Sequence, residues 1–162
     1  DELTLARANG TLQRNFQGYS THGQCDLIGL GVSSIGNVGD SYSQSVKELS
    51  QYYARIDQEL LPVQRGYQLN DDDRLRREVI SDLMCHGRID FARIEARHGI
   101  CFKDYFADSL ARLDQHVADR LLRIEDAALQ LMPQGWLMLR SVAMAFDAYL
   151  GDSQKGNFSR TV

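Results

Sequence analysis

Two short apolar runs, Leu121-Leu122-Arg123-Ile124 and Ala127-Ala128-Leu129-Gln130-Leu131, flank the acidic pair Glu125-Asp126 and read as a β-hairpin. The sequence around this hairpin is helical in texture. Upstream, Leu75, Val79, Ile80, Leu83 and Met84 recur at the spacing of one helix face. Asn70 is placed to cap that helix, with Asp71, Asp72 and Asp73 in a first turn that favours carboxylates, and Gly87 to stop it. Asp90 starts a shorter helix through Phe91, Ile94 and Glu95, closed by Gly99. A third helix is expected from Phe102, with Phe106, Leu110, Leu113 and Val117 along one side. Beyond the hairpin, Pro133 stands where a helix takes its first residue. Trp136, Leu139, Val142, Ala143, Phe146 and Leu150 then make the inner face of a last helix. Three helices, a hairpin and a helix is the order of a winged helix-turn-helix. Residues 70–150 are therefore expected to form a winged-helix-like C-terminal domain in a mainly α chain, with 151–162 a polar tail. No function follows from that shape alone.

Toward the N-terminus, residues 39–69 read as a linking helix and connector. Val46, Leu49, Tyr53, Ile56 and Leu60 have helical spacing, Leu61-Pro62 ends the run, and Gly66-Tyr67-Gln68-Leu69 connects onward. Residues 1–38 differ, with few charges and with Gly10, Gly18, Gly23, Gly29, Gly31 and Gly36, followed by Gly39. Cys25-Asp26-Leu27-Ile28-Gly29-Leu30-Gly31-Val32 reads as a buried strand leading into a loop of exposed backbone at Ser33-Ser34. Asn15-Phe16-Gln17-Gly18-Tyr19 reads as a second short strand or an edge loop. Two strands make no independently stable sheet, so this segment is expected to be poorly packed or paired between chains.

The 162 residues are 43% hydrophobic and 25% charged, enough to build a core, and they exclude a wholly disordered or collagen-like chain. No apolar run approaches the ~20 residues of a membrane span. The chain opens at Asp1 without a signal-peptide pattern, and it is expected to be a piece of something longer. Cys25, Cys85 and Cys101 are few, odd in number and far apart, which suits free thiols and a cytoplasmic location. Asn157-Phe158-Ser159 matches a glycosylation acceptor by chance. The net charge of −4 disfavours nucleic acid as a partner. The expected third helix, where a winged helix would read DNA, sets Asp104, Asp108 and Asp114 against Lys103 and Arg112. A packing domain that borrows the winged shape suits these charges better.

Cys85, His86, His98 and Cys101 are legitimate zinc ligands, but their spacing matches no standard finger and adjacent Cys-His side chains diverge. Gly29-Leu30-Gly31-Val32-Ser33-Ser34-Ile35-Gly36 lacks the spacing of a dinucleotide loop and any Walker Lys-Ser/Thr pair. It is either a tight strand-end turn or a place where backbone N–H groups and Ile35 approach a ligand. No nucleophile, general base or carboxylate pair stands out.

Leu12-Gln13-Arg14-Asn15-Phe16-Gln17-Gly18-Tyr19-Ser20-Thr21 resembles the L-H-R-N-F-Q-G-Y-T-T stretch of the oxygen-independent coproporphyrinogen III oxidase family. Gly29-Leu30-Gly31-Val32-Ser33-Ser34-Ile35 resembles that family's G-x-G-V-S-A-I loop. Lys47-Glu48-Leu49, Gln51-Tyr52-Tyr53, Asp72-Asp73 with Arg76-Arg77, Asp104-Tyr105-Phe106, Phe146-Asp147 with Tyr149-Leu150, and Phe158-Ser159-Arg160 follow in matching order. The resemblance covers nearly the whole chain and corresponds to the family's C-terminal third.

It implies a radical S-adenosylmethionine enzyme of haem biosynthesis whose partial triose-phosphate-isomerase-type barrel carries a [4Fe–4S] cluster on C-x-x-x-C-x-x-C. Such enzymes convert two propionates of coproporphyrinogen III to the vinyls of protoporphyrinogen IX by means of a 5′-deoxyadenosyl radical, and bind two S-adenosylmethionine molecules. Here the cluster motif is missing, so the implied parts are the end of the barrel, residues 1–38, and a helical domain covering the active-site opening. The implied partners are coproporphyrinogen III, S-adenosylmethionine and the N-terminal barrel of the same polypeptide, and this chain alone is expected to be inactive. By the same resemblance Phe16, Gln17 and Ile35 line the pocket of the second S-adenosylmethionine, and Arg14 meets a substrate propionate. Gln13 replaces the family's usual His, removing a titratable group, and Ser34 replaces Ala. Other expectations are a non-catalytic winged-helix regulatory or interaction module, and a haem chaperone relative, which reads differently at N-F-Q-G-Y.

Overall fold

A computed structural model describes residues 1–23 and 25–150. They fall into two compact units, Asp1–Arg74 and Leu75–Val162. The tail from Gly151 and the Phe158-Ser159-Arg160 motif lie outside the described residues.

The first unit opens with α1 (Glu2–Ala8), capped by the Asp1 carboxylate on the Leu3 N–H at 3.1 Å. Strands β1 (Gln13–Asn15) and β2 (Gly18–Ser20) form an antiparallel hairpin in the register Gln13↔Ser20, Arg14↔Tyr19, Asn15↔Gly18. Strands β3 (Ile35–Val38), β4 (Ser41–Ser45) and β5 (Val63–Gln68) form a separate antiparallel sheet in that order. Gly39, at φ 54, turns β3 into β4 as the first residue of a two-residue loop. The register of β4 on β5 shifts by a bulge between Gln44 and Ser45. Helix α2 (Leu49–Ile56) lies between β4 and β5 in sequence.

These strands correct the expectation of a linking helix and connector over 39–69. Only α2 is helical there; Ser41–Ser45 and Val63–Gln68 are strands. Their low apolar content hid them: β4 carries Tyr42 as its one large hydrophobic side chain, and β5 is almost wholly exposed. Cys25–Val32 is also no buried strand. Leu27 alone bridges to Asn37, while Ile28 and Leu30 are 75% and 86% exposed. The buried apolar side chains of this unit are Ala6, Leu12, Val46 and Leu69, whereas Leu49, Tyr53, Leu60 and Leu61 are exposed.

Helix α3 (Asp71–His86) starts with a reciprocal cap. The Asn70 Oδ1 accepts from the Asp73 N–H at 2.8 Å, and the Asp73 Oδ2 accepts from the Asn70 N–H at 3.0 Å. Tyr67 Oη donates to the same Asp73 carboxylate at 2.9 Å. Gly87, at φ 65, ends the helix, and a Cβ there would come within 2.5 Å of the Trp136 ring.

The second unit continues through β6 (Arg88–Asp90), α4 (Phe91–His98), α5 (Phe102–Tyr105), α6 (Ala107–Ala111) and α7 (Asp114–Ala118). It finishes with β7 (Leu122–Ile124), β8 (Ala128–Leu131), a 3-10 turn (Pro133–Met138) and α8 (Leu139–Met144). The expected hairpin is present as β7–β8, and β6 joins it in a sheet of order β6-β8-β7. The expected third helix is instead broken into α5, α6 and α7. Phe106 leaves helical geometry at φ −102 and ψ 22, and the Leu113 N–H bonds to Leu110 O rather than one residue further back. These breaks bury Leu113 completely and leave Val117 at the surface, a division one straight face would not make. The core gathers Val79, Leu83, Ile94, Phe102, Phe106 and Phe146, with the Phe102 ring stacked on Phe91 at 4.3 Å.

Candidate functional site

The β1–β2 hairpin projects Phe16 and Gln17 at its tip. Asn15 Oδ1 accepts the Gln17 N–H at 2.8 Å, closing an Asx turn, and Gly18 takes the backbone to φ 131. This local chemistry explains the order Asn-Phe-Gln-Gly: Asn ties the turn, Gly resolves it, and the two central side chains are released outward.

Phe16 packs edge-on against Tyr42 of β4, with ring centroids 5.3 Å apart and planes at 82°. Residues paired across an antiparallel sheet share a face, so Asn37 and Tyr67 lie on the Tyr42 side. Ile35, two positions from Asn37, and its partner Gln44 share that side as well. The sheet therefore brings Phe16 and Ile35 to one face, with Tyr42 diagonal to Ile35. Gln17 keeps an exposed side chain at the hairpin tip. Arg14 is separate from this group: its exposed guanidinium lies over the Tyr19 ring, 5.8 Å from the centroid.

The glycine loop serves the packing of this face. A Cβ on Gly29 would lie 2.7 Å from the Ile35 carbonyl oxygen, so only glycine lets the loop close on β3. Ser34 Oγ donates to Gly31 O at 2.8 Å, and the Gly31 N–H reaches Tyr52 Oη at 3.2 Å. The loop is thus a tight turn that fixes Ile35.

One polar atom on this face is unpaired. Asn37 Oδ1 is buried without a hydrogen-bond partner, a condition that costs about 1–3 kcal/mol for an amide-type acceptor. The backbone of Asn37 exchanges both bonds with Leu27, at 2.7 and 2.8 Å, which places Asn37 and Tyr42 in a non-hydrogen-bonded pair with closely set side chains. Sequence reasoning found neither Tyr42 nor Asn37, because their roles come from register.

In the second unit the four metal-ligand types go separate ways. Cys85 is buried, Cys101 is exposed, and His98 Nε2 is 2.9 Å from Glu78 Oε2. Among the described residues no three His, Cys, Asp or Glu side chains form a group able to hold a metal. Glu78 instead gathers His98, Arg93 at 2.8 Å and Arg97 at 3.2 Å, and Arg93 also pairs with Asp82. Burial pushes the Glu78 carboxyl up, but the His98 hydrogen bond and the Arg97 and Arg93 charges outweigh it and hold it below the usual glutamate range. The group clasps α3 to α4.

Comparison with known proteins bears on both units. Residues 69–138 match the family model for the HemN C-terminal domain. The whole chain is 45% identical to an oxygen-independent coproporphyrinogen III oxidase of Pseudomonas aeruginosa, of which it covers 35%. It is 42% identical to the Escherichia coli protein of that name, covering 36% of it, and 40% identical to that of Synechocystis. A solved structure described as the coproporphyrinogen III oxidase HemN of Escherichia coli, a radical SAM enzyme, matches with a TM-score of 0.88 at 43% identity. That match covers 92% of this chain and 34% of the other. The chain thus spans about a third of the length of these relatives, their C-terminal third.

Proposed function

We propose that this chain belongs to the oxygen-independent coproporphyrinogen III oxidases as their C-terminal third, and that it serves the oxidative decarboxylation of coproporphyrinogen III in haem biosynthesis. The observation that carries the reading is the match at 45% identity over all 162 residues of this chain. The apolar surface of the first unit supports it: Ile28, Leu30, Leu49, Leu60 and Leu61 are exposed, as expected of a segment completed by the barrel of the same polypeptide. The order α3, β6, α4, α5–α7, β7–β8 supports a winged-helix-like packing domain, and the surplus of acidic residues in it argues against phosphate binding.

Cys25, Cys85 and Cys101 do not suit a [4Fe–4S] cluster, being far apart in sequence and unlike one another in exposure. The cluster belongs to the remainder of the polypeptide. S-adenosylmethionine does suit the face of the first unit. Phe16 and Ile35 present apolar surface to a purine or a sulfonium methyl, and Gln17 adds an exposed carboxamide. On one-electron reduction by the cluster of the full-length polypeptide, S-adenosylmethionine would supply the radical that removes a propionate hydrogen. This chain's own part is to hold and orient the ligand and to exclude water around it. Arg14, exposed at the base of the hairpin, offers a two-pronged donor to a propionate.

The test is anaerobic turnover of coproporphyrinogen III by the full-length polypeptide and by this chain alone. Protoporphyrinogen IX is expected from the first only. Turnover by the isolated chain, or none by a full-length protein carrying its cluster, overturns the reading.

A further inference from the structure

Ile35 is held by the loop that closes on β3, but Phe16 stands 54% exposed at the tip of a two-stranded hairpin. Two strands alone make a weak platform, and among the described residues no strand pairing joins this hairpin to the β3-β4-β5 sheet. The Asn15 turn fixes the backbone at Gln17 and leaves the Phe16 side chain its rotamers. Among the described residues the Phe16 ring meets another ring at Tyr42 alone, edge-on at 5.3 Å. We propose that Tyr42 is a positioning residue: it holds the Phe16 ring in the orientation that receives the second S-adenosylmethionine. This rests on the S-adenosylmethionine reading above.

The surroundings of Tyr42 suit that role. It lies on the central strand of its sheet, bonded to β3 on one side and β5 on the other. Its register partner on β5 is Tyr67, whose hydroxyl donates to the buried Asp73 carboxylate at 2.9 Å, so the side chain beside Tyr42 is itself anchored. The Tyr42 hydroxyl makes no hydrogen bond among the described residues, and what Tyr42 offers Phe16 is therefore its ring. An edge-on pair restrains tilt as well as distance, because the positive rim of one ring is drawn to the negative face of the other. A ring braced in this way loses little freedom when a ligand packs on its exposed part, whereas an unbraced one must be ordered at the moment of binding.

The experiment is anaerobic equilibrium dialysis of S-adenosylmethionine against the full-length, cluster-loaded protein and its variants. Tyr42→Leu should weaken the second equivalent by about three- to tenfold, the worth of one edge-on aromatic pair, and leave the first unchanged. Tyr42→Phe keeps the ring and should bind as wild type. In a protein that already carries Phe16→Ala, adding Tyr42→Leu should cost nothing more, since the side chain it acts through is gone. If circular dichroism shows Tyr42→Leu unfolded, Tyr42→Val, a strand former without a ring, makes the same comparison. A penalty that persists in the double variant, or Tyr42→Phe failing as Leu does, overturns the proposal. So does a lowered thermal midpoint in Tyr42→Leu with affinity intact, which marks a packing contact only. In each of these cases the site reading stands if Phe16→Ala alone weakens the second equivalent. If Phe16→Ala alone changes nothing, the site reading falls, and the role of Tyr42 with it.

Discussion

Replacing Glu78 by Gln keeps the shape of the α3–α4 clasp and removes its central charge. The cost can be built from exposure. Arg97 is 68% exposed and its pairing contributes a few tenths of a kcal/mol, as surface pairs do. Arg93 is 46% exposed and keeps Asp82, so its loss is about 0.5 kcal/mol. His98 and Glu78 are 19% and 17% exposed, and their hydrogen bond contributes about 1–2 kcal/mol. Neutral Gln returns part of this by lowering the desolvation cost, leaving a net loss of about 1–2 kcal/mol at pH 7. For a unit of this size that is about 5–10 °C in Tm. The pH dependence has a fixed sign. A carboxyl held below its ordinary range stabilises fully above the unfolded value near pH ~4.3, and that contribution is lost as pH falls through the lower folded value. Thermal unfolding followed by the single tryptophan, Trp136, should therefore show a gap between wild type and Glu78→Gln at pH 7 that closes toward pH 3. A gap of equal size at both ends, or none at pH 7, refutes the electrostatic account of the clasp.

Two shorter predictions test the frame. Gly135→Ala would set a Cβ 1.9 Å from the Leu121 carbonyl oxygen, a backbone atom that cannot swing aside, so the variant should lose several kcal/mol and be recovered largely unfolded by circular dichroism. Asn70→Ala removes one half of the reciprocal cap of α3 and should cost about 1 kcal/mol in urea unfolding, with the midpoint lowered and the slope unchanged.

Features written in local chemistry were legible from sequence. Asn70 caps α3, Gly87 and Gly99 close α3 and α4 in left-handed conformation, and Glu125-Asp126 turns β7 into β8. Features that come from pairing were not. Ser41-Tyr42-Ser43-Gln44-Ser45 and Val63–Gln68 are strands because they bond to each other, and nothing in their composition announces it. Arg88–Asp90 is too short for a periodicity to show, although Ile89 at its centre is fully buried. The Phe102–Val117 stripe has true helical spacing, but core packing at Phe106 and Leu113 overrides it. The candidate site divides in the same way. The Asn15–Gly18 turn explains itself, while the association of Phe16 with Tyr42, and of both with Asn37 and Ile35, exists only in the register of β3 on β4.

The irregular end of β5 bears on self-association. Among the described strands β5 is an outer edge, and such an edge can template another copy of the chain. Pro62 lies immediately before it, the bulge at Gln44 and Ser45 bends its partner, and Arg65 places a charge on the strand beside Gly66. A kinked, charged ribbon is a poor seed for cross-β growth. When the chain is separated from the surfaces that would cover it, its route to precipitation is the non-directional clustering of Leu30 and Leu61, and not the ordered extension of a sheet.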